Sequence, residues 1–363
     1  MTLELHNVSK VVDRETHIRD VSLRLERGSL NVLLGPTLSG KTSLMRLMAG
    51  LDEPTAGRIV MNGRDVTGLP VRKRSVAMVY QQFINYPTLS VWENIASPLK
   101  VAGRPRDEID RKVAEAARLL RIDRMLDRTP LELSGGQQQR TALARALVKG
   151  AELVLLDEPL ANLDYKLREE LREELPRIFA ASGAILVYAT TEPAEALLLG
   201  GHTATLHEGA VTQFGPTLEV YRRPHDRRTA QVFSDPPMNF LDIEVRGGMA
   251  WIGEAVVPAT GSLRGLADGD YTIGFRPNHL ALAAGRPDAI ALSAVVAVTE
   301  ITGSESFVHM DYAGCRWVAL AHGVHEPAID TEVRVWLDPH RFFVFGRDGR
   351  LVAAPATAAA AAA

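Results

Sequence analysis

The sequence predicts an α/β domain followed by a smaller all-β domain. Over the first two-thirds of the 363 residues, short apolar runs alternate with helical patterns, as in a parallel sheet covered by helices. From residue 234 (SDPPMNF) the pattern changes to short β-like runs separated by Gly, Pro and Asp, which favours a small barrel or sandwich. The double proline therefore predicts an α/β domain at 1–235, an all-β domain at 236–355 and a low-complexity tail at 356–363.

Composition excludes several classes of protein. The net charge of −3 creates no global basic field for nucleic acid or anionic lipid. The single cysteine, Cys315, excludes an internal disulfide framework and a multi-thiolate zinc site. The opening residues MTLELHNVSK lack the apolar core of a signal peptide, and no run approaches the roughly 18 apolar residues of a membrane span. We therefore expect any membrane role to come through a partner.

Within the α/β domain, four apolar runs predict buried strands: LNVLLG (30–35), SVAMVY (75–80), ELVLLD (152–157) and AILVYAT (184–190). GKTSLMRLMAG (40–50) predicts a helix, since its large apolar residues recur at helical spacing. The stretch from Val91 to about Val148 is mostly helical in pattern, most clearly at 111–122 (RKVAEAARLLRI).

The first chemical motif is GPTLSGKT (35–42), which matches the phosphate-binding pattern G-x-x-x-x-G-K-[ST] between a strand and a helix. Its glycines let backbone N–H groups point at phosphate oxygens, and the helix N-terminus favours negative charge. Lys41 would reach the β- and γ-phosphates of ATP, and Thr42 would ligate Mg²⁺. The alternative is a chance glycine-rich turn. The predicted nucleotide-binding residues are Gly35, Pro36, Thr37, Leu38, Ser39, Gly40, Lys41, Thr42 and Ser43.

A second motif, ELVLLDEP (152–159), is an apolar strand that ends in two acids. Asp157 would lie beside the phosphates and hold Mg²⁺, and Glu158 would accept a proton from the attacking water. The alternative is a strand capped by solvated acids, which the neighbouring phosphate loop makes the weaker interpretation.

The third motif, LSGGQQQR (133–140), opens a helix that runs to about Val148 and offers another anion site. With this motif the chain resembles the ABC-type ATPases over nearly its whole length. The resemblance implies an α/β P-loop ABC-type ATPase domain with a helical subdomain at about 88–148. It also implies that Ser134, Gly135, Gly136 and Gln137 grip the γ-phosphate bound on a second subunit. The alternative is a flexible glycine turn before a helix.

Two further residues take roles that the resemblance implies. Gln81 matches the glutamine that touches Mg²⁺ and the attacking water, with Gln82 as the alternative. The loop from Gln81 to about Pro87 contacts the transmembrane partner in importers of this family. Asp164 matches the acid that crosses the dimer interface, although it could instead cap the helix that follows.

The chain departs from the family at two positions. Most relatives carry Thr-His-Asp after the strand at 184–190, whereas this chain has Thr190-Thr191-Glu192, so Thr191 replaces the histidine that contacts the γ-phosphate. We expect both threonines to face that phosphate and to support hydrolysis poorly, because a hydroxyl is shorter than an imidazole and carries no charge. The alternative is that a water or a neighbouring side chain substitutes for the histidine.

The second departure is Val12, which occupies the place of an aromatic residue that stacks on adenine in relatives. Valine has no π-face, so adenine binding should be weaker or less selective. Both departures affect the site on this chain's own phosphate loop, while the LSGGQ segment is intact. We therefore expect a heterodimer with one degenerate and one competent ATP site, with a homodimer as the other possibility.

The C-terminal runs resemble the OB-like (TOBE) regulatory domain of carbohydrate-importer ATPases of the maltose and glycerol-phosphate types. The resemblance rests on PPMNFLD (236–242), IGFRPNHL (273–280) and DPHRFFVF (338–345). OB-type barrels can bind nucleic acid, but residues 241–355 hold nine arginines, no lysine and fourteen acids, which argues against a nucleic-acid partner. GPTLSGKTSLMRLMAGLD and ATTEPAEA most resemble the glycerol-type importer ATPases, which work as unlike pairs.

The leading hypothesis is the ATP-hydrolysing motor of an ABC importer for a carbohydrate or polyol such as glycerol. The resemblance implies ATP and Mg²⁺ as cofactors. It also implies transmembrane permease subunits and a second ATPase subunit as partners, with a periplasmic binding protein acting indirectly. The subunit would lie peripherally on the cytoplasmic face of the inner membrane. The alternatives are a mainly regulatory ATP-binding subunit and a soluble ABC ATPase acting on DNA or ribosomes.

Overall fold

The computed structural model describes residues 2–82, 84–161 and 163–356. The chain divides into two compact units, Met1–Thr217 and Leu218–Ala363. The alanine tail predicted at 356–363 lies outside the described residues, apart from Ala356.

The first unit contains two sheets. A four-stranded antiparallel sheet has the order β2-β1-β4-β5, and a six-stranded, mostly parallel sheet has the order β10-β9-β3-β8-β7-β6. The strands are β1 (Thr2–Val12), β2 (Glu15–Glu26), β3 (Leu30–Leu34), β4 (Ala56–Met61), β5 (Arg64–Asp65), β6 (Val76–Val79), β7 (Leu153–Asp157), β8 (Ile185–Thr190), β9 (His202–His207) and β10 (Ala210–Pro216).

The α-helices described in the first unit are α1 (Lys41–Ala49), α2 (Val91–Val101), α3 (Arg106–Leu119), α4 (Gly135–Lys149), α5 (Tyr165–Ser182) and α6 (Pro193–Leu199). The helices at 91–149 are bounded by local signals. Ser90 and Glu93 form a reciprocal capping box at the start of α2, and Gly150 ends α4 in the left-handed conformation. The four buried strands and the helix predicted at 40–50 are confirmed, with ends within a residue or two, whereas the helix predicted most clearly at 111–122 spans 106–119.

The parallel sheet places the carboxyl ends of three strands at one edge. Strands β3, β7 and β8 are almost wholly buried, because helices and the second sheet cover both of their faces. The register pairs Leu34 with Thr190 and Asp157 with Ala189. The phosphate loop, the two acids after β7 and the threonines after β8 therefore meet at this edge, where open α/β sheets bind ligands.

The second unit is mainly β. Its helices are α7 (Thr217–Arg222) and α8 (Arg227–Val232). Its two sheets have the orders β13-β12-β11-β14-β20-β21 and β15-β19-β16-β17-β18. The strands are β11 (Asn239–Arg246), β12 (Met249–Ile252), β13 (Ala255–Pro258), β14 (Gly269–Phe275), β15 (Leu280–Ala281), β16 (Ile290–Ile301), β17 (Glu305–Tyr312), β18 (Cys315–His322), β19 (Glu332–Leu337), β20 (Phe343–Phe345) and β21 (Leu351–Ala353).

Both sheets of the second unit share one apolar core centred on Trp317. The indole is fully buried, lies edge-on to Phe275 with ring centroids 5.1 Å apart, and donates through Nε1 to the Phe240 carbonyl at 3.0 Å. Asn239 bridges the sheets by exchanging two hydrogen bonds with the Val318 backbone. The prediction of an all-β, barrel-like domain is confirmed.

The division between the two units falls between Thr217 and Leu218, earlier in the chain than the boundary between 235 and 236 that the double proline predicts. The reason is the buried guanidinium of Arg276, which donates 2.8 Å hydrogen bonds to the carbonyls of Phe233 and Tyr221 and lies over the Tyr221 ring. The segment that contains α7 and α8 is thereby packed onto the β-rich unit. Among the described residues, no helix is long and apolar enough to cross a membrane.

Candidate functional site

The loop between β3 and α1 is shaped by close backbone contacts. A side chain at Gly35 would place its Cβ 2.5 Å from Ser39 Oγ and 2.6 Å from the Leu206 carbonyl, so only glycine fits. Gly40, which precedes α1, has φ of +102°, a conformation that L side chains rarely adopt. In the described part of the chain, the buried Ser39 Oγ has no hydrogen-bond partner. The loop thus has a curled backbone and a polar atom that remains available for a ligand.

Lys41 is held beneath this loop. Its side chain is only 6% exposed, and Nζ donates to the carbonyls of Gly35 at 2.7 Å and Pro36 at 3.0 Å. Burial lowers the pKa of the Lys41 ammonium, while the charges of Glu158 and Asp157 oppose that shift. An ammonium group has three donors. Two bonds to the loop therefore fix its position and leave one donor for a phosphate oxygen.

Thr42 and Asp157 form a hydroxyl–carboxylate pair at the same edge. Thr42 Oγ1, in the first turn of α1, donates to Asp157 Oδ2, at the end of β7, over 2.7 Å. Asp157 is 3% exposed, and burial raises its pKa, against the opposing effects of the Thr42 hydrogen bond and the Lys41 charge. One hydroxyl oxygen and one carboxylate beside a phosphate loop are the ligands that Mg²⁺ takes with a nucleotide. These residues therefore fit a Mg²⁺–nucleotide complex.

Gln81 and Glu158 form a second pair. Gln81 Nε2 donates to Glu158 Oε2 at 3.0 Å. The contact of Gln81, or of the alternative Gln82, with Mg²⁺ and the attacking water stays a prediction. Glu158 has φ of +46°, and its N–H donates to the Ala189 carbonyl at 3.0 Å, which ties the acid to β8. Burial raises the pKa of the Glu158 carboxyl, Lys41 opposes the rise, and neighbouring carboxylates add to it. A carboxylate with a raised pKa is a better proton acceptor near neutral pH.

The two threonines at the carboxyl end of β8 do not share one role, so the expectation that both face the γ-phosphate is wrong for Thr190. The Thr190 hydroxyl is buried and donates to Glu195 Oε2 at 2.7 Å. Thr191 is exposed and lines the cleft with Lys41 and Glu158. Thr190 is the last residue of β8 and its hydroxyl is bound by Glu195 of α6, whereas Thr191 lies beyond the strand and reaches the cleft.

Residues 37–43 of the phosphate loop and α1, with Gln81, Glu158 and Thr191, border one cleft of about 650 Å³, and Gly35, Pro36 and Asp157 lie outside its lining. Its second wall comes from β2 and the β9–β10 turn, which the sequence reasoning did not assign to the site. The wall is attached to the phosphate loop through backbone hydrogen bonds, since Arg19 N–H donates to Gly209 O at 2.8 Å and Gly209 N–H donates to Ser39 O at 3.0 Å. The added residues are Glu15, Thr16, His17, Arg19, Glu208 and Gly209.

The remaining predicted site residues lie outside this cleft. Val12 is exposed at the end of β1, opposite Glu15. Ser134 precedes α4, and its N–H donates to Gln137 Oε1 at 2.9 Å. Asp164 precedes α5, and its carbonyl accepts from Arg168 N–H at 2.9 Å, as an N-cap residue does. Their roles toward a nucleotide or a second subunit stay predictions.

Comparison with known proteins agrees with this geometry. A family model described as "ABC transporter" matches residues 18–161, and one described as "TOBE domain" matches residues 273–345. The trehalose/maltose import ATP-binding protein MalK of Thermococcus litoralis is 37% identical over 363 residues, covering 95% of this chain and 97% of its own. The sn-glycerol-3-phosphate import ATP-binding protein UgpC of Rhizobium meliloti is 38% identical over 338 residues, covering 92% and 95%.

Solved structures match the first unit. The dimeric structure of a post-hydrolysis state of the ATP-binding cassette MJ0796 bound to ADP and Pi has a TM-score of 0.55 and 27% identity. The match covers 59% of this chain and 98% of that one.

Proposed function

The chain belongs to the ATP-binding subunits of ABC transporters that carry a TOBE domain, and we propose that it hydrolyses ATP to drive import of a carbohydrate or polyol. The observation that carries this proposal is the meeting of three elements at one edge of the parallel sheet, with Lys41, Thr42, Gln81 and Glu158 lining one cleft. They are the buried Lys41 ammonium, the Thr42–Asp157 pair and the Gln81–Glu158 pair. Each element supplies a different part of phosphoryl transfer.

Binding of the triphosphate rests on the phosphate loop. The free donor of Lys41 and the N–H groups at the start of α1 would contact the β- and γ-phosphate oxygens. Thr42, Asp157 and Gln81 would hold Mg²⁺. When bound, Mg²⁺ would supply positive charge against the developing charge on the phosphates.

Hydrolysis would use Glu158 as the proton acceptor. As the oxygen of a water molecule forms its bond to the γ-phosphorus, its proton passes to the Glu158 carboxylate. The bond from that phosphorus to the bridging oxygen breaks, and the electron pair stays on ADP. The hydrogen bond from Gln81 fixes the rotation of the carboxylate, and the raised pKa of Glu158 suits it to this transfer near neutral pH.

The chain would act within a larger assembly. Ser134–Gln137 and Asp164 lie outside the cleft of their own chain, which supports a role in completing the ATP site of a second ATPase subunit. The loop after Gln81 would contact transmembrane permease subunits, and a periplasmic binding protein would deliver cargo indirectly. The chain would lie peripherally on the cytoplasmic face of the inner membrane.

We also propose that the site on this chain is partly degenerate and that the dimer partner is a different ATPase. Thr191 lines the cleft at the position of the expected histidine, and Val12 lies outside the cleft and offers no ring to adenine. The related MalK and UgpC proteins are named for import of trehalose or maltose and of sn-glycerol 3-phosphate. Glycerol is the cargo that the phosphate-loop and Thr-Thr-Glu segments favour.

Transport in cells is the direct test. A strain lacking this chain should lose uptake of labelled glycerol, glycerol 3-phosphate or maltose, and the wild-type chain should restore it. Lys41→Ala serves as the matched variant for ATP use, with Lys166→Ala, an exposed lysine outside the cleft, as control. Uptake that survives loss of the chain for all three solutes would contradict the proposed class of cargo.

The degenerate-site proposal has its own test in the reconstituted transporter. Lys41→Ala should reduce ATP turnover less than the equivalent lysine change in the partner ATPase, because the partner's phosphate loop would carry most of the hydrolysis. Thr191→His should raise turnover by restoring an imidazole beside Glu158. Equal damage from the two lysine changes would contradict a division into one weak and one competent site.

A mainly regulatory subunit is the second candidate function, favoured by Thr191. It predicts that Glu158→Gln leaves turnover of the complex unchanged while Lys41→Ala abolishes ATP binding to this chain.

A further inference from the structure

A buried carboxylate lies directly behind the cleft and takes no part in the mechanism above. Glu195, on α6, is 5% exposed. Its Oε2 accepts from Thr190 Oγ1 at 2.7 Å and from the Tyr188 hydroxyl at 3.2 Å. Burial raises the pKa of the Tyr188 hydroxyl, and the charge of Glu195 adds to the rise, so Tyr188 stays protonated and acts as a donor.

Thr190 connects this carboxylate to the turn that carries Thr191. The same Thr190 hydroxyl that donates to Glu195 accepts from the Glu192 N–H at 3.0 Å. The Thr190 carbonyl accepts from the Gly35 N–H, at the start of the phosphate loop, at 3.4 Å. Thr191 therefore lies between Thr190 and Glu192, and the Thr190 hydroxyl bonds both to Glu195 and to the Glu192 N–H.

Two arginines of α5 extend the network. Arg172, with a side chain 11% exposed, places Nη2 3.6 Å from Glu195 Oε1. One turn earlier, Arg168 donates from Nη2 to the Ala161 carbonyl at 3.2 Å and has Nη1 4.0 Å from Glu192 Oε1. The arginines join the segment before Asp164 to the turn at 190–192.

The free-energy cost of burying a carboxylate indicates that this network holds the groups around it in one geometry. Removing a carboxylate from water costs several kcal/mol unless hydrogen bonds and an opposite charge compensate, and an apolar pair can fill such a contact at lower cost. A buried ion pair with directed hydrogen bonds confines the groups around it to one geometry, which apolar contacts do less well. The turn confined in this case carries Thr191, which lines the same cleft as Glu158.

We propose that Glu195 is a positioning residue for ATP hydrolysis, which with Arg172 and Thr190 holds the Thr191 turn in register with the phosphate loop and Glu158. The inference rests on the proposed ATPase function. A threonine hydroxyl is shorter than an imidazole, so its useful reach depends on backbone placement. The contacts of Arg168 with Ala161 and Glu192 also couple this turn to the segment predicted to face a second subunit.

The test compares near-isosteric variants in an assembled transporter whose partner ATP site is inactivated, so that the measured turnover comes from this chain's site. Glu195→Gln removes the charge that faces Arg172, and Thr190→Val removes the hydroxyl that joins Glu195 to Glu192. Both should lower kcat for ATP roughly tenfold to a hundredfold, the loss expected for a displacement of about 1 Å, while KM and the affinity for a fluorescent ATP analogue change less than about twofold. Amide exchange at Glu192 should accelerate in both variants.

Glu169→Gln is the matched control, because Glu169 pairs with Arg172 at the surface and does not contact Glu195. It should leave kcat and the exchange at Glu192 unchanged. Wild-type kcat in both Glu195→Gln and Thr190→Val would overturn the proposal, as would a KM rise that accounts for the whole loss. If either variant does not fold, the other decides by the same readouts, and failure of both to fold would assign Glu195 a purely structural role. If Lys41→Ala also retained full turnover, the ATPase proposal would fail instead.

Discussion

Gln81 donates a 3.0 Å hydrogen bond from its side-chain amide to Glu158 Oε2, across 77 residues of sequence. The bond uses the nitrogen of the amide, and both residues line the cleft. It also holds the carboxylate of Glu158, whose backbone is in the left-handed region. The two side chains therefore act as one unit, with the acid oriented by the amide.

Replacement of Glu158 by glutamine removes the proton acceptor and nearly preserves shape. We expect kcat for ATP at this chain's site to fall by about 10²- to 10⁴-fold, the usual contribution of a positioned base, with ATP affinity little changed. Phosphate release and analogue binding in a complex whose partner site is inactivated measure the two effects. Glu152→Gln, an exposed acid at the other end of β7, should behave as wild type.

The pH dependence of hydrolysis should follow the pKa of Glu158. Burial raises that pKa, and Glu192 is among the carboxylates that raise it further, while Lys41 lowers it. Because the base must be ionised, activity should fall on the acid side at a higher pH than an ordinary glutamate would impose. Glu192→Gln removes one neighbouring negative charge and should move the acid limb of kcat/KM to lower pH. Solvent exposure of Glu192 keeps this shift small. Movement of the limb to higher pH would contradict the assignment.

Gly35 tolerates no side chain. An alanine Cβ would lie 2.6 Å from the Leu206 carbonyl, a backbone atom that cannot move aside without distorting β9. We expect Gly35→Ala to lower the free energy of unfolding by about 1–3 kcal/mol, as overpacking does, and to abolish binding of an ATP analogue. Gly68→Ala is the control, since a Cβ there meets open space and its φ is not positive. Normal nucleotide binding by Gly35→Ala would show that the loop can open.

His17 should contribute to binding of the nucleobase. It lines the cleft with the phosphate loop, whereas Val12 lies outside it and has no ring. Loss of a stacking ring costs about 1–3 kcal/mol, so His17→Ala should weaken ATP binding at least roughly fivefold. Tripolyphosphate, which has no base, should bind wild type and variant equally. Val12→Ala should have the smaller effect on ATP, and an equal loss for both ligands in His17→Ala would assign the imidazole to the phosphates.

Trp317 should dominate the stability of the β-rich unit. Its ring packs edge-on to Phe275 and its Nε1 donates to the Phe240 carbonyl. Trp317→Ala removes this packing and leaves the carbonyl without its donor, which should cost about 3–5 kcal/mol in denaturant unfolding. Trp251→Ala, at a partly exposed indole, should cost less than about 1 kcal/mol. A similar loss for the two variants would contradict the central role of Trp317.

Local patterns were sufficient for the phosphate loop and for the acids after β7. A glycine-rich segment between an apolar run and an amphipathic helix can adopt few backbone shapes, and a strand that ends in acids places them at the sheet edge. The Gln81–Glu158 contact and the wall of the cleft formed by β2 with His17 were not predicted from the sequence, because each joins segments that are far apart in the chain. The boundary between the two units also differs from the one that the proline pair predicts. The proline pair is a local signal, whereas Arg276 packs the preceding helices onto the second unit by long-range contacts.

The threonine pair at the carboxyl end of β8 shows what the sequence determines and what only the tertiary structure decides. Sequence by itself determined that two hydroxyl side chains, Thr190 and Thr191, follow one another at the end of a buried apolar run. Which threonine faces the cleft was decided only by tertiary structure. Glu195 on α6 occupies one face of β8 and binds the Thr190 hydroxyl, so Thr191 is the residue directed to the cleft. The physical reason is that a buried carboxylate must be satisfied by nearby donors, and only the packing of α6 against β8 establishes which donors are near.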